Sequence, residues 1–458
     1  KSVTARERLL ARRRKMGRRI ALLSLFLAGV LLLAMGWLGL TDDPEIVGVR
    51  NVLHYNLLKR LGGPAVRAGE PMGSISGRVL GAEGEPVSGA VVLVASPLGD
   101  AFTAESGPDG GYRLTDVPPG RYLPVAGKRG YDDAFNQTCV AGLCYRHAAT
   151  VRSDAVSEYA DLTLTPASSL ETLVDASLRV SATVRVEVGA PFPAKSQRTD
   201  FSFERDGLTV NDCHLYEPLE GAGPPAVSVS GTDPTERFPT MLLVLPGPVR
   251  NWEYVPVPFA AEGFSVLACY PLRGFDIDGD ATDLLTAVEY VRQGRIPSRA
   301  DTERLVLVGA SFTSLHAYRL LGLTDQVDVV LILGGMGDGF AFRHDVETGA
   351  VHTRPPFGEV LMALGYPNTS PELYFKYSSL YHLEGFPPVC LLHGVDDELV
   401  PYSQGVQLAE ELARRDHPHE FYSYEGLSHY FSTEADNTTT QQMWQDSQDC
   451  LRRWLNGG

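Results

Sequence analysis

Arg304-Leu305-Val306-Leu307-Val308-Gly309-Ala310-Ser311-Phe312-Thr313 is the stretch on which the reading of this chain turns. Leu305 to Val308 is a short apolar run rich in β-branched side chains and closed by glycine, which predicts a buried strand. Beyond the turn, Leu315, Tyr318 and Leu320 to Leu323 return at helical spacing. A strand, a tight Gly-x-Ser turn and a helix together make a nucleophile elbow. The backbone at such a turn is strained, so it needs small neighbours, and it leaves the serine hydroxyl standing above the sheet edge. Free amides at the start of the helix point to where an oxyanion would form. Gly-x-Ser alone arises often by chance, and only partner motifs elsewhere in the chain can make it a catalytic serine.

From Phe238 onward the chain alternates apolar strand and amphipathic helix, which predicts a mainly parallel sheet covered on both faces. The expected strands are 241–245, 264–269, 305–308, 327–333, 389–392 and 420–424, with a terminal helix over 441–455. Ahead of them, 182–188, 200–204 and 211–217 alternate cleanly and read as antiparallel strands leading into that sheet. Two further motifs stand at strand ends. One is His393-Gly394-Val395-Asp396-Asp397-Glu398-Leu399-Val400-Pro401, and the other is Gly426-Leu427-Ser428-His429. A histidine can take the proton of a serine hydroxyl, and a carboxylate can hold its tautomer and stabilise its charged form. Spacing leaves Asp396 and Asp397 both open for that carboxylate.

The order Ser, Asp, His at strand ends, over about residues 238–457, resembles the dienelactone-hydrolase-like and prolyl-oligopeptidase-like serine hydrolases of the α/β-hydrolase superfamily. The H-G-x-x-D-x-x-V-P pattern of that resemblance selects Asp397. It implies Ser311 as nucleophile, Asp397 as orienting acid and His429 as general base, without a cofactor. The expected reaction is hydrolysis of an ester, or of a peptide or amide, through an acyl-enzyme. Two departures stand out. Thr313 replaces the small residue expected two positions after the serine and is expected to crowd the turn. The loop after the first parallel strand reads Pro246-Gly247-Pro248-Val249, and Pro248 has no amide hydrogen. An oxyanion hole would then draw on Phe312 with Gly247 or Val249. Loss of one such donor costs roughly 100-fold or more in rate. The alternative reading is therefore a catalytically degenerate hydrolase serving as an accessory subunit of an integral membrane complex.

The N-terminal part supports a membrane setting. Residues 1–19 hold nine Lys or Arg and one Glu, a net +8 in a chain of net charge −16, so the rest carries −24. An acidic body of that kind excludes nucleic acid as a partner. Ile20 to Leu40 is free of charge, about 31 Å long as a helix, and predicts a transmembrane anchor with a cytoplasmic N-terminus and an extracytoplasmic body. Residues 41–72 read as a tether, with a short amphipathic helix around 49–61 whose Leu and Tyr residues either pack on the next domain or lie on the membrane surface or a partner. Residues 73–166 break into short Gly- and Pro-punctuated strands. Gly77-Arg78-Val79, Gly84 to Val91, Gly111-Tyr112 and Pro118-Pro119-Gly120-Arg121-Tyr122 resemble the carboxypeptidase regulatory-like family. That resemblance implies a seven-stranded β-sandwich without catalytic residues.

The remaining 167–458 is assigned to the α/β domain. It is interrupted at 336–386 by an aromatic-rich insertion that would either cover a cleft as a lid or simply form its own core. Of the six cysteines, Cys139 and Cys144 could pair in an oxidising compartment, whereas Cys269 and Cys390 read as buried, inert thiols. Asp276-Ile277-Asp278-Gly279-Asp280 looks like a calcium-loop fragment. The position requiring Glu is Ala287, so a helix-entry turn is expected and no metal.

Overall fold

The computed structural model describes residues 26, 28–30, 36–37, 39–41, 43–61, 71–167, 176–219, 237–353, 357–432, 434 and 436–457. The basic tail at 1–19 and most of the expected anchor at 20–40 lie outside them. No helix among the described residues is long and apolar enough to cross a membrane.

Among the described residues, nine strands form one sheet: β1 (Ser177–Val188), β2 (Ala194–Arg205), β3 (Leu208–Glu217), β4 (Phe238–Val244), β5 (Ser265–Pro271), β6 (Ala300–Ala310), β7 (Val329–Leu333), β8 (Val389–Gly394) and β9 (His419–Tyr424). Their spatial order is β1-β2-β3-β5-β4-β6-β7-β8-β9. β1 pairs antiparallel with β2, β2 with β3 and β3 with β5, and every pairing from β5 to β9 is parallel. β4 and the middle of β6 are buried throughout, as expected of strands covered on both faces. Helices α3 (Ile277–Arg292), α4 (Thr313–Leu323) and α8 (Tyr402–Arg414) pack on one face through Leu284, Ala317 and Leu408. Helices α2 (Pro256–Ala261) and α9 (Thr438–Leu455) cover the other through Phe259, Met443 and Leu451. Asp276 caps α3 by accepting the Gly279 amide at 3.0 Å.

All six cysteines are paired: Cys139–Cys144, Cys213–Cys269 and Cys390–Cys450. The expectation of buried thiols at Cys269 and Cys390 is thereby corrected. Cys213 and Cys269 stand directly opposite each other on β3 and β5, and Cys390 on β8 meets Cys450 on the overlying α9. Partners 56 and 60 residues away leave no local signal in the sequence.

The N-terminal β-domain holds a five-stranded and a four-stranded sheet plus two two-stranded ribbons, more than the seven strands implied by resemblance. Part of the excess is one strand broken in two. Val156–Glu158 and Leu162–Pro166 pair, both parallel, with successive halves of Gly73–Gly81. Strand Val91–Ala95 is buried along its whole length. Val92 and Val94 enter the sandwich core, while Val91, Leu93 and Ala95 pack on Phe340, Tyr374 and Phe375 of the 336–386 insertion. Phe340, Tyr374, Phe375 and Tyr381 of the insertion therefore belong to an interdomain core. Gly127 permits the approach, since a Cβ there would lie 2.5 Å from the Phe375 ring.

The insertion comprises α5 (Gly339–Thr348), α6 (Phe357–Leu364) and α7 (Pro371–Phe375). The tether contributes α1 (Pro44–Arg60), whose Asn51 side chain donates to the Ala363 carbonyl at 2.8 Å, while Tyr55 packs on Tyr366.

Candidate active site

The parallel strands end on one edge, and the loops after β4, β6, β8 and β9 meet there. Ser311, just beyond β6, has φ +49, a left-handed conformation that a non-glycine residue adopts at a cost. Surrounding bonds hold it: its amide donates to the Leu333 carbonyl at 2.9 Å, and the Ser314 hydroxyl donates to its carbonyl at 2.6 Å. Gly309 lets β6 and α4 close together, because a Cβ there would sit 2.9 Å from that of Ala317. Thr313 does not crowd the turn. Its hydroxyl lies 2.9 Å from the carbonyls of Val244 and Ala310, donating to one at a time, and accepts the Ala310 amide at 3.0 Å. The threonine stitches the elbow to the neighbouring strand.

His429 Nε2 lies 2.8 Å from Ser311 Oγ, and Nδ1 lies 2.9 and 2.8 Å from the two carboxylate oxygens of Asp397. Asp397 also accepts the amides of Leu399 at 2.9 Å and Val400 at 2.8 Å. Burial alone would raise its pKa. Hydrogen bonds from His393, His429 and the Val400 amide, with the charge of His429, outweigh burial and hold the carboxyl well below its usual range. Asp396 does something else. It accepts the Gly426 amide at 2.8 Å, while Glu398 accepts the amide of His429 at 3.2 Å. Three consecutive carboxylates thus orient the imidazole and fix its loop. Gly394 lets the two loops touch, since a Cβ there would come within 2.2 Å of the Leu427 carbonyl.

Residues 277–454 match the prolyl oligopeptidase family, and residues 74–169 match the carboxypeptidase regulatory-like domain. The chain carries a prolyl oligopeptidase family domain. This domain has the α/β-hydrolase fold and is a serine hydrolase. Similar solved structures include a butyrate-bound thermophilic esterase from the Planctomycetes species Thermogutta terrifontis, at 18% identity over 54% of this chain and 90% of that one, with a TM-score of 0.40. The same esterase phosphonylated by sarin matches at 17% identity, 54% and 91% coverage and a TM-score of 0.40. A puromycin-hydrolyzing peptidase from Mycobacterium tuberculosis matches at 18% identity over 84% of this chain and 54% of that chain, with a TM-score of 0.42. No curated protein sequence matches the chain.

Ser311, His429 and Asp397 open into a cavity of about 690 Å³. Phe312 and Pro246 line it, whereas Gly247 and Val249 lie outside the lining, and the Val249 side chain is packed in the core. Of the three residues expected to supply oxyanion-hole amides, Phe312 alone lines the cavity. Sequence reasoning missed the aromatic walls. Trp252, Phe275 and Trp444 come from three separate segments, and none has a local pattern marking it. A larger cleft of about 890 Å³, between the β-domain and α4, contains no triad residue.

Proposed function

We propose that the chain is a membrane-anchored, extracytoplasmic serine esterase with Ser311 as nucleophile, His429 as general base and Asp397 as orienting acid. The observation that carries this reading is the 2.8 Å contact between Ser311 Oγ and His429 Nε2, with Asp397 on the far nitrogen. In the first step Oγ bonds to the acyl carbon and its proton passes to Nε2. Collapse breaks the bond to the leaving alcohol, which takes that proton. Water then attacks the acyl-serine by the same route, releasing the acid and restoring the hydroxyl. The amide of Phe312 is the donor nearest at hand for the oxyanion.

Ester cleavage is favoured over amide cleavage because Pro248 removes an amide donor from the oxyanion loop. Weaker stabilisation of the tetrahedral intermediate penalises the poorer leaving group more. The pairing of all six cysteines supports an oxidising compartment. The uncharged run at 20–40 supports the anchor, and so does the row Val49, Leu53, Leu57 and Leu61, exposed on one side of the tether helix and its end. Labelling by a fluorophosphonate probe is the test. The reading expects a single adduct on Ser311, lost in Ser311→Ala and His429→Ala. Absence of an adduct, together with co-purification in an integral membrane assembly, would favour the accessory-subunit reading.

A further inference from the structure

The cavity beside the triad differs in chemistry from a site that holds a peptide end. Among its described lining residues the only carboxylate is Asp397, and there is no Lys, Arg or Glu. Asp397 is fully engaged by His429 and by two turn amides. A substrate bringing an α-ammonium or a carboxylate into this space would lose hydration without gaining a counter-charge. Aromatic rings dominate instead. Phe312, next to the serine, packs edge-on against Phe275 at 5.4 Å and Phe357 at 5.5 Å, and those two lie 6.2 Å apart. Trp444 stacks on Phe192 at 4.5 Å and lies 4.3 Å from Phe259.

The apolar surface continues to the mouth of the cavity. Phe275 is 44%, Phe357 39% and Tyr430 60% exposed, although large aromatic side chains are normally withdrawn from water. Phe357 is the member contributed by the insertion, at the first position of α6. No residue of α6 is fully buried; Leu361 and Leu364 pack partly buried on the interdomain core, while Phe357 lines the cavity.

Building on the serine-hydrolase reading, we propose that the substrate is a neutral ester of an apolar acyl group, held between Phe275, Phe312 and Phe357, with Phe357 setting the preference for chain length. Covering these rings recovers the hydration cost of the open mouth, and each methylene buried adds to binding. A charged group at the end of a short acyl chain forfeits that gain.

Two measurements on the full chain separate this inference from the reading beneath it. In Ser311→Ala, which cannot turn over, Trp252 and Trp444 report occupancy by fluorescence. Methyl octanoate is expected to bind at least tenfold more tightly than octanoate or octylammonium. In the wild type, kcat/KM is expected to rise at least tenfold from p-nitrophenyl acetate to the octanoate, and Phe357→Ala to reduce that ratio at least threefold. Equal binding of the charged and neutral ligands overturns the inference, and so does a flat chain-length profile in an enzyme whose Ser311 is labelled. Failure of Ser311 to label overturns the catalytic reading instead, and leaves the binding comparison to decide the inference by itself.

Discussion

Asp396 and Asp397 are adjacent, chemically identical, and set to different work by the loops around them. Asp397 faces the imidazole of His429, and Asp396 anchors the glycine turn that delivers it. Since Asp397 is held below its usual pKa, its charged form is stabilised by folding. The stability it contributes is complete above the ordinary carboxylate range and lost only as pH falls through the depressed folded value. Asp397→Asn keeps the shape and removes the charge, so the imidazole loses both its tautomer control and its stabilised cation. A fall in kcat of about 10³-fold or more is expected, with a lower thermal transition at neutral pH because the charge that folding stabilises is gone. A variant within tenfold of wild type in a steady-state ester assay would remove Asp397 from the triad. Thr313 marks the limit of residue-level reading. Its size suggested crowding, whereas its hydroxyl satisfies strand groups that a smaller residue would leave to others.

At the scale of elements, the insertion is a clasp made from three directions. Arg343 of α5 is buried, donates to the Leu361 carbonyl of α6 at 2.9 Å and lies over the rings of Tyr55 and Tyr366. Asn51 of α1 bonds the end of the same α6 that begins with Phe357. Asn51→Ala should therefore leave the Ala363 carbonyl unpaired at a cost of about 1 kcal/mol and loosen α6. The check is faster amide hydrogen exchange over 358–364 with unchanged exchange in β6; unaltered exchange in α6 would sever the link. Asp338, which caps α5 by accepting the Phe340 amide at 2.9 Å, is pushed up to about 6 by burial, against partial relief from that amide and from Tyr381. Its folded pKa exceeds the unfolded value, so folding binds the proton. Stability from this group is full below about pH 4 and lost as pH rises to about 6. Asp338→Asn is neutral throughout. Its stability relative to wild type should climb by about 3 kcal/mol across that window, read by urea unfolding at a series of pH values. A constant difference would refute the assignment.

Across the whole molecule, two disulfides cross-link the α/β domain over separations of 56 and 60 residues. Closing loops of that length restricts the unfolded chain by about 4 kcal/mol each. Replacing Cys390 and Cys450 together with alanine is expected to lower unfolding free energy by that order and to leave the triad geometry in place. Equal denaturant midpoints for the variant and the oxidised wild type would count against the cross-link. The β-domain is attached through Val91, Leu93 and Ala95 to the base of the insertion, away from the catalytic loops. It therefore braces the segment from which Phe357 reaches the cavity.

What the amino-acid sequence determined unaided was everything with a short period or a fixed order. The 2-residue and 3.6-residue repeats marked the strands and helices after Phe238, the turn chemistry marked Ser311, and the order Ser, Asp, His followed the strand ends, with Asp396 and Asp397 both left open by spacing. The tertiary structure decided whatever depends on segments far apart meeting. It paired Cys269 with Cys213 and Cys390 with Cys450, separated the roles of Asp396 and Asp397, and divided the insertion's aromatics between an interdomain core and a cavity wall. A side chain's own neighbours in sequence fix its local conformation, but only the packed sheet determines which distant surface it faces.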